Sequence, residues 1–217
     1  MAWSRSGRRV VSGLLAAAAF FAVTPGALAE SGSKPNYVRS LLEMRHEKVV
    51  IQRWDLSCGA AALATILAYQ HGDPVPERKI AEAMLGRTDP MKVRARQGFS
   101  LLDMKRYVES RGYEATGYAE LTLQDLIDFG PTIVPVRLNG YNHFVVFRGV
   151  LGDRVLLADP AVGNRTLRRG TFEAAWVGQM GFIVERRDGR APPNQLTAMP
   201  SDFRIPGGAV LNNSILD

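Results

Sequence analysis

Cysteine is almost absent from this 217-residue sequence, since Cys58 is the only one. A single thiol cannot form an internal disulfide, which excludes a small fold stapled by disulfides. Cys58 is therefore either a small buried hydrophobic residue or a reactive thiol.

Other residue patterns are missing as well, and each absence excludes a class of function. Histidine occurs only three times, and no group of His, Cys and carboxylates has the spacing of metal ligands. We therefore expect no metal and no cofactor. No block of Lys and Arg is interleaved with aromatic residues, so we do not expect nucleic acid as a partner.

Long apolar runs are also scarce, and the one clear example is N-terminal. Three arginines precede the apolar stretch 10–23, and an A-x-A motif ends at Ala29. This order predicts a secretory signal peptide over residues 1–29. About 14 apolar residues are short for a spanning helix, which needs about 20, so we expect no membrane anchor. The predicted location is the periplasm.

The remaining 188 residues are enough for one domain with a full hydrophobic core. We divide them into an N-terminal extension (30–48), a domain (49–187) and an irregular tail (188–217) rich in Pro, Gly and Asn. Loss of the three N-terminal arginines lowers the formal charge from +6 to +3. The basic character of the full chain therefore carries little information about partners.

Helical patterns precede strand patterns along the domain. Four segments have helical periodicity and start or stop signals: 59–70, 77–85, 101–111 and 123–129. Five short runs rich in β-branched or aromatic residues predict strands: 49–51, 132–138, 143–150, 154–158 and 181–186. This order predicts an α+β fold in which a helical half packs on an antiparallel sheet.

Cys58 lies at the start of the first confident helix. Unpaired backbone N–H groups and the positive end of the helix dipole favour a thiolate there. The same N–H groups can hold an oxyanion. A buried cysteine that only opens a core helix is the alternative, and the helix position alone does not separate the two.

A nucleophilic cysteine needs a base, and the sequence offers three histidines. His71 is about 13 residues along the same helix, roughly 20 Å from Cys58, and we interpret it as a C-terminal cap. His46 lies among charged residues and is expected to face solvent. His143 follows the turn 139–142 and opens an apolar strand, so by elimination it is the candidate base.

The base in turn needs an acceptor that orients its ring. Asp159 ends the strand that follows the His143 strand. In an antiparallel hairpin the start of one strand lies beside the end of the next, which places Asp159 near His143. An ordinary Asp-Pro turn is the alternative, and taken alone it is the more common one.

These motifs together resemble a known family. Gln52 with Cys58 six residues later, then "GYNHFVVF" and "LLADPAVG", are similar to the bacteriocin-processing, double-glycine-leader cysteine peptidases. The resemblance covers roughly residues 49–184 and extends to the exported, stand-alone branch that includes peptidases of functional-amyloid (Fap) secretion systems. Many fused members carry Asp before the cysteine, where this chain has Ser57.

The resemblance implies a papain-like fold and a role for each site residue. Cys58 would attack the substrate, His143 would transfer the proton, and Asp159 would orient the ring. Gln52 would donate a side-chain N–H to the oxyanion. The implied partner is an exported protein or peptide, with an amyloid subunit or a secretion-system component as candidates.

Three functions remain open at this point. The first is a periplasmic cysteine peptidase that cuts a co-exported protein in an extended segment after small residues. The second is a module that holds an exported peptide without cutting it. The third is another acyl transfer on the same scaffold, such as amide hydrolysis in the cell wall.

Overall fold

The computed structural model describes residues 40–204. The predicted signal peptide (1–29) and the end of the predicted tail (205–217) lie outside the described residues. The observed elements are the following.

The described residues form seven α-helices: α1 (Leu41–His46), α2 (Cys58–Thr65), α3 (Glu77–Leu85), α4 (Pro90–Ala95), α5 (Leu101–Glu109), α6 (Leu123–Phe129) and α7 (Arg169–Ala175). A π-helical turn, Ile66–Gln70, continues α2, and two 3₁₀ turns cover Val177–Gln179 and Pro200–Arg204. The strands are β1 (Tyr113–Tyr118), β2 (Thr132–Leu138), β3 (Tyr141–Leu151), β4 (Arg154–Asp159), β5 (Gly163–Arg168) and β6 (Gly181–Arg186).

The six strands form one antiparallel sheet in the order β1-β6-β2-β3-β4-β5. Apolar residues alternate across it, as expected for a period of two. Ile133 and Val146 face the core under α2, α3 and α5, whereas Val134 and Val145 face the core under α6 and α7. Each face of the sheet therefore has its own apolar layer, and the predicted α+β architecture is confirmed.

Helix start signals in the sequence have the expected geometry. Ser100 and Thr122 each form a capping box with the Asp three residues later. The side-chain oxygen accepts a backbone N–H of the first turn, and the Asp accepts the backbone N–H of the cap. These contacts satisfy donors that a helix N-terminus would otherwise leave unpaired.

The predicted strand over residues 49–51 is wrong. This segment pairs with no strand; instead Val50 N–H donates to Thr65 Oγ1 (3.0 Å) and Gln52 N–H donates to the carbonyl of Pro160 (2.8 Å). The run 49–51 is apolar because Val49 is buried against the helical core. The run does not join the sheet. Apolar runs this short do not distinguish the two cases.

Several elements have no counterpart in the sequence prediction. They are α1, α4, α7, β1 and β5, and each is at most seven residues long. The edge strands β1 (YEATGY) and β5 (GNRTLR) lack a β-branched run. Their pairing with a neighbouring strand decides their conformation, so local propensity gives a weak signal.

Between β6 and the 3₁₀ turn at Pro200–Arg204 the chain forms no helix or strand, and it is packed against the domain. Leu196 is fully buried, and its carbonyl accepts the Nε–H of the buried Arg148 (2.8 Å). Arg148 also donates to Asn164 (2.9 Å) and pairs with Asp202 (3.0 Å). The buried guanidinium thus ties the described part of the tail to β3 and β5.

Candidate active site

Cys58 occupies the first position of α2, and only 6% of its surface is exposed. Gly59 lets α2 approach its neighbours closely, since a Cβ there would lie 3.2 Å from Met104 Sδ and 3.6 Å from Phe144. Phe144 follows His143 on β3. The close packing of α2 on β3 therefore brings the thiol and the imidazole together.

His143 and Asp159 are in direct contact, as the hairpin argument predicts. The His143 Nε2 lies 2.7 Å from Asp159 Oδ1, and the two side chains are 15% and 3% exposed. Asp159 Oδ1 also accepts the N–H of Ala161 (2.8 Å), and its Oδ2 lies 3.4 Å from an Arg165 guanidinium nitrogen. The carboxylate is held by three donors and cannot turn away from the ring.

The electrostatics of the pair favour a protonated imidazole. Burial alone would lower the pKa of His143, but the hydrogen bonds and charges of Asp159 and Cys58 outweigh it and raise that pKa to about 9. Burial would raise the pKa of Asp159, yet the hydrogen bond and charge of His143 hold it below its usual range, with help from Ala161 and Arg165. Because Nε2 is bound to Asp159, Nδ1 is the ring nitrogen that remains for the Cys58 thiol.

The three residues line one cavity of about 520 Å³. Four segments form its wall: the loop before α2, the loop between α4 and α5, the β2–β3 turn with the start of β3, and the β4–β5 turn. The other lining residues are Asp55, Leu56, Gln97, Leu138, Asn139, Tyr141, Asn142, Ala161, Val162 and Arg165. Cys58, His143 and Asp159 therefore face one common space on the surface of the domain.

Gln52, the predicted oxyanion donor, is close to this site but does not line the cavity. Its backbone N–H is bonded to Pro160, the residue after Asp159. Its side-chain Nε2 donates to the Trp54 carbonyl (3.1 Å), and its Oε1 is buried without a partner among the described residues. Its role as oxyanion donor stays a prediction.

A buried carboxylate near Cys58 is not among the predicted site residues. Glu77, the first residue of α3, is 5% exposed. It accepts the backbone N–H of Arg53 (3.1 and 3.2 Å) and the hydroxyl of Ser57 (2.5 Å). This carboxylate fixes the loop between Gln52 and Cys58. A glutamate in a first helical turn is common, because it suits the helix dipole, so no sequence pattern indicates this contact.

The other two histidines lie apart from the site. His46 is exposed, as predicted. His71 is the C-cap of the π-helical turn that continues α2, as predicted, but its side chain does not serve the helix dipole, because the ring is buried and its Nε2 lies 3.0 Å from the Val184 carbonyl. Burial lowers the pKa of His71, so the imidazole is neutral and packs as part of the core.

Within residues 40–204, no three residues among His, Cys, Asp and Glu are grouped as metal ligands would be. The helices of this same range are all too short or too polar to cross a bilayer.

Comparison with known proteins agrees with this geometry. Residues 46–188 match the peptidase C39 family. The chain is 40% identical over 178 residues to the "Probable functional amyloid protease FapD" of Pseudomonas aeruginosa, covering 79% of this chain and 78% of that protein. It is 41% identical over 182 residues to the protein of the same name from Pseudomonas fluorescens, covering 80% of each.

A solved structure shares the fold. The peptidase domain of Streptococcus ComA, described as a bifunctional ABC transporter in quorum sensing, superposes with a TM-score of 0.55 at 24% identity. The match covers 65% of this chain and all of that domain. The predicted papain-like α+β fold is therefore confirmed. With its family match and its similarity to these proteases, the chain belongs to the peptidase C39 family and is a cysteine peptidase.

Proposed function

We propose that this peptidase is exported to the periplasm and cuts a co-exported protein after small residues in an extended segment, in support of functional-amyloid secretion. The observation that carries the proposal is the Cys58–His143–Asp159 arrangement facing one open cavity. The similarity to proteins named as probable functional amyloid proteases supports the choice of substrate class.

In the proposed reaction the Cys58 thiolate attacks the carbonyl carbon of the scissile peptide bond. His143 carries the thiol proton and gives it to the leaving amine as the C–N bond breaks, which leaves a thioester on Cys58. Water then attacks the thioester while His143 accepts its proton, and the acid product leaves as the thiol is restored. Asp159 keeps the Nε2–H of the ring engaged, so Nδ1 remains directed at the reaction.

The negative oxygen that forms during attack needs donors. The backbone N–H of Cys58 is one candidate, because the first N–H groups of α2 have no intrahelical partner. Gln52 is the other candidate in this proposal. Its Nε2 carries two hydrogens, of which one is bonded to Trp54, so the second is available to an oxyanion.

The scissile carbonyl of the substrate must reach Cys58 at the N-terminus of α2. Since Cys58 is only 6% exposed, a chain with little bulk at the cut can best bring a carbonyl to its sulfur. An extended segment with Gly-Gly or a similar small pair satisfies this requirement. A co-exported protein with a flexible segment of this kind is the proposed partner.

A mixed peptide library, read by mass spectrometry, tests the proposed specificity. We expect cuts after small pairs and few cuts after large or charged residues. Cuts scattered after bulky residues would refute the restricted access. No cuts at all by a protein with a reactive Cys58 would favour a peptide-holding module instead.

A variant series tests the proposed roles with the peptide that is cut best. Cys58→Ala and His143→Ala should abolish turnover. Asp159→Asn and Gln52→Ala should retain residual activity, since one oxyanion donor contributes roughly 10²–10³-fold in rate. His46→Ala is the matched control and should be fully active; the reverse result for His46 and His143 would show that the base is misassigned.

The proposed location rests on residues 1–29, so it needs its own test. Expression of the full chain in a Gram-negative host should give a periplasmic protein whose first residue is Glu30. A cytoplasmic protein that keeps residues 1–29 would contradict the proposed export.

A further inference from the structure

Gln97 lines the cavity with a left-handed backbone, a conformation that among the lining residues it shares with Asn139 of the β2–β3 turn (φ 52°). Its φ of 58° lies in the left-handed region, which is uncommon and costly for a residue with a Cβ. It is exposed, and it lines the same cavity as Cys58 and His143. Gln97 directly follows the C-cap of α4, a position at which helices commonly end in a left-handed residue.

The surroundings of Gln97 do impose its conformation. Its N–H donates to the Arg94 carbonyl (3.1 Å), and the N–H of Gly98 donates to the Val93 carbonyl (2.9 Å). Gly98 is buried against the loop before α2, where a Cβ would lie 3.5 Å from the carbonyl of Leu56. The backbone beside Gln97 is thus anchored against Leu56, which lies two positions before Cys58 in the sequence. The side chain of Gln97 is thereby held at the cavity.

The carboxamide of Gln97 is available to a ligand. Within the part of the chain that the structure describes, the Gln97 carboxamide has no hydrogen-bond partner. By contrast, the carboxamide of Asn142 on the β3 side of the cavity already accepts the Nε–H of Arg137 (3.1 Å). A free carboxamide has one acceptor and two donors, which match the N–H and C=O of a peptide group.

A substrate cut after small residues lacks side chains that could fill pockets. Its backbone groups are then the handles by which the enzyme can hold it in register with Cys58. We propose that Gln97 is a specificity-determining residue, whose carboxamide hydrogen-bonds a peptide group of the extended substrate next to the cut. This inference rests on the proposed peptidase function. A bulky side chain beside that peptide group would displace the carboxamide, so the contact selects for small residues.

Two substitutions separate this contact from a structural role. Gln97→Gly removes the carboxamide and relieves the left-handed strain, whereas Gln97→Glu keeps the length and replaces the NH₂ donor by an acceptor. The chain also contains a matched control. Gln179 is an exposed glutamine with a φ of 47° that does not line the cavity, so Gln179→Gly relieves the same kind of strain elsewhere.

The kinetic test compares all variants on one Gly-Gly peptide. Gln97→Gly and Gln179→Gly should both keep or raise the melting temperature. Only the Gln97 variants should lose kcat/KM, roughly 3- to 10-fold for one hydrogen bond, and the loss should lie in KM. Iodoacetamide labelling of Cys58 should be unchanged in each variant, since the nucleophile keeps its surroundings.

A binding measurement makes the test independent of cleavage. A fluorescein-labelled peptide with a central Gly-Gly is titrated with Cys58→Ala, with and without Gln97→Gly, and followed by fluorescence anisotropy. We expect Gln97→Gly to raise the Kd roughly 3- to 10-fold. Three results would each overturn the inference. They are equal Kd values, no peptide binding by either protein, and a loss confined to kcat with slower labelling of Cys58. Failure of the proposed function shows separately, as absence of cleavage by the unsubstituted enzyme.

Discussion

The titration of His143 reports most directly on the contacts that define the site. Its pKa is raised to about 9, against about 6.5 for an unperturbed imidazole. At 1.36 kcal/mol per unit, this difference corresponds to about 3 kcal/mol in favour of the protonated ring. The side chain is only 15% exposed, so solvent screens the interaction weakly. The hydrogen bonds and charges of Asp159 and Cys58 together supply this stabilisation of the protonated ring.

The perturbation is Asp159→Asn, which removes a charge but keeps the size and one acceptor oxygen. We expect the pKa of His143 to fall by about one to two pH units, because the charge is lost while Cys58 remains. NMR of ¹³C-labelled imidazoles between pH 4 and 10 measures this directly, since the chain has only three histidines. His71 is an internal control that should titrate below 6.5, because burial lowers its pKa.

The same pKa sets the pH dependence of stability. Because the pKa of His143 is higher in the folded than in the unfolded state, protonation of His143 stabilises the fold below about pH 6.5. This contribution is lost as the pH rises through 9. The free energy of unfolding from urea titrations should therefore decline over this window, and less steeply in Asp159→Asn. A wild-type His143 that titrates near 6.5, or one whose pKa Asp159→Asn leaves unmoved, would refute the reasoning.

Three further predictions concern the nucleophile, the loop before it and the tail. Iodoacetamide should label Cys58 in the folded protein, because the thiol faces the cavity; a thiol that reacts only after denaturation would contradict this. Glu77→Ala should lower the free energy of unfolding by about 1–3 kcal/mol in urea titrations, because the buried Ser57 hydroxyl and the Arg53 N–H lose a charged acceptor; an effect below about 0.5 kcal/mol would show that this carboxylate does not hold the loop. Arg148→Met should cost about 3 kcal/mol in the same assay, because it leaves a carboxylate unpaired; a change below about 1 kcal/mol would mean that the tail is held by apolar packing alone.

Hairpin geometry made the His143–Asp159 contact predictable. Turn residues fix where β3 begins, and antiparallel pairing then places the end of β4 beside that point. Chain distance along a helix was enough to exclude His71. Both features depend on regular repeat distances of helices and hairpins, which side-chain packing does not alter.

Contacts made by packing between distant segments were not predictable. Glu77 reaches the loop before Cys58 only because α3 lies against α2. Leu196 and Arg148 meet across 48 positions, and nothing in the Pro- and Gly-rich tail indicates that one leucine is buried. The buried state of His71 likewise depends on β6, which follows it by more than a hundred residues.

Incubation of the purified mature protein with co-secreted proteins tests the central claim most directly. The substrates are read by intact mass, with the unsubstituted enzyme and Cys58→Ala in parallel. The account predicts one or a few cuts after small residues with the unsubstituted enzyme and none with Cys58→Ala. Identical products from the two proteins, or intact substrates with both, would contradict it.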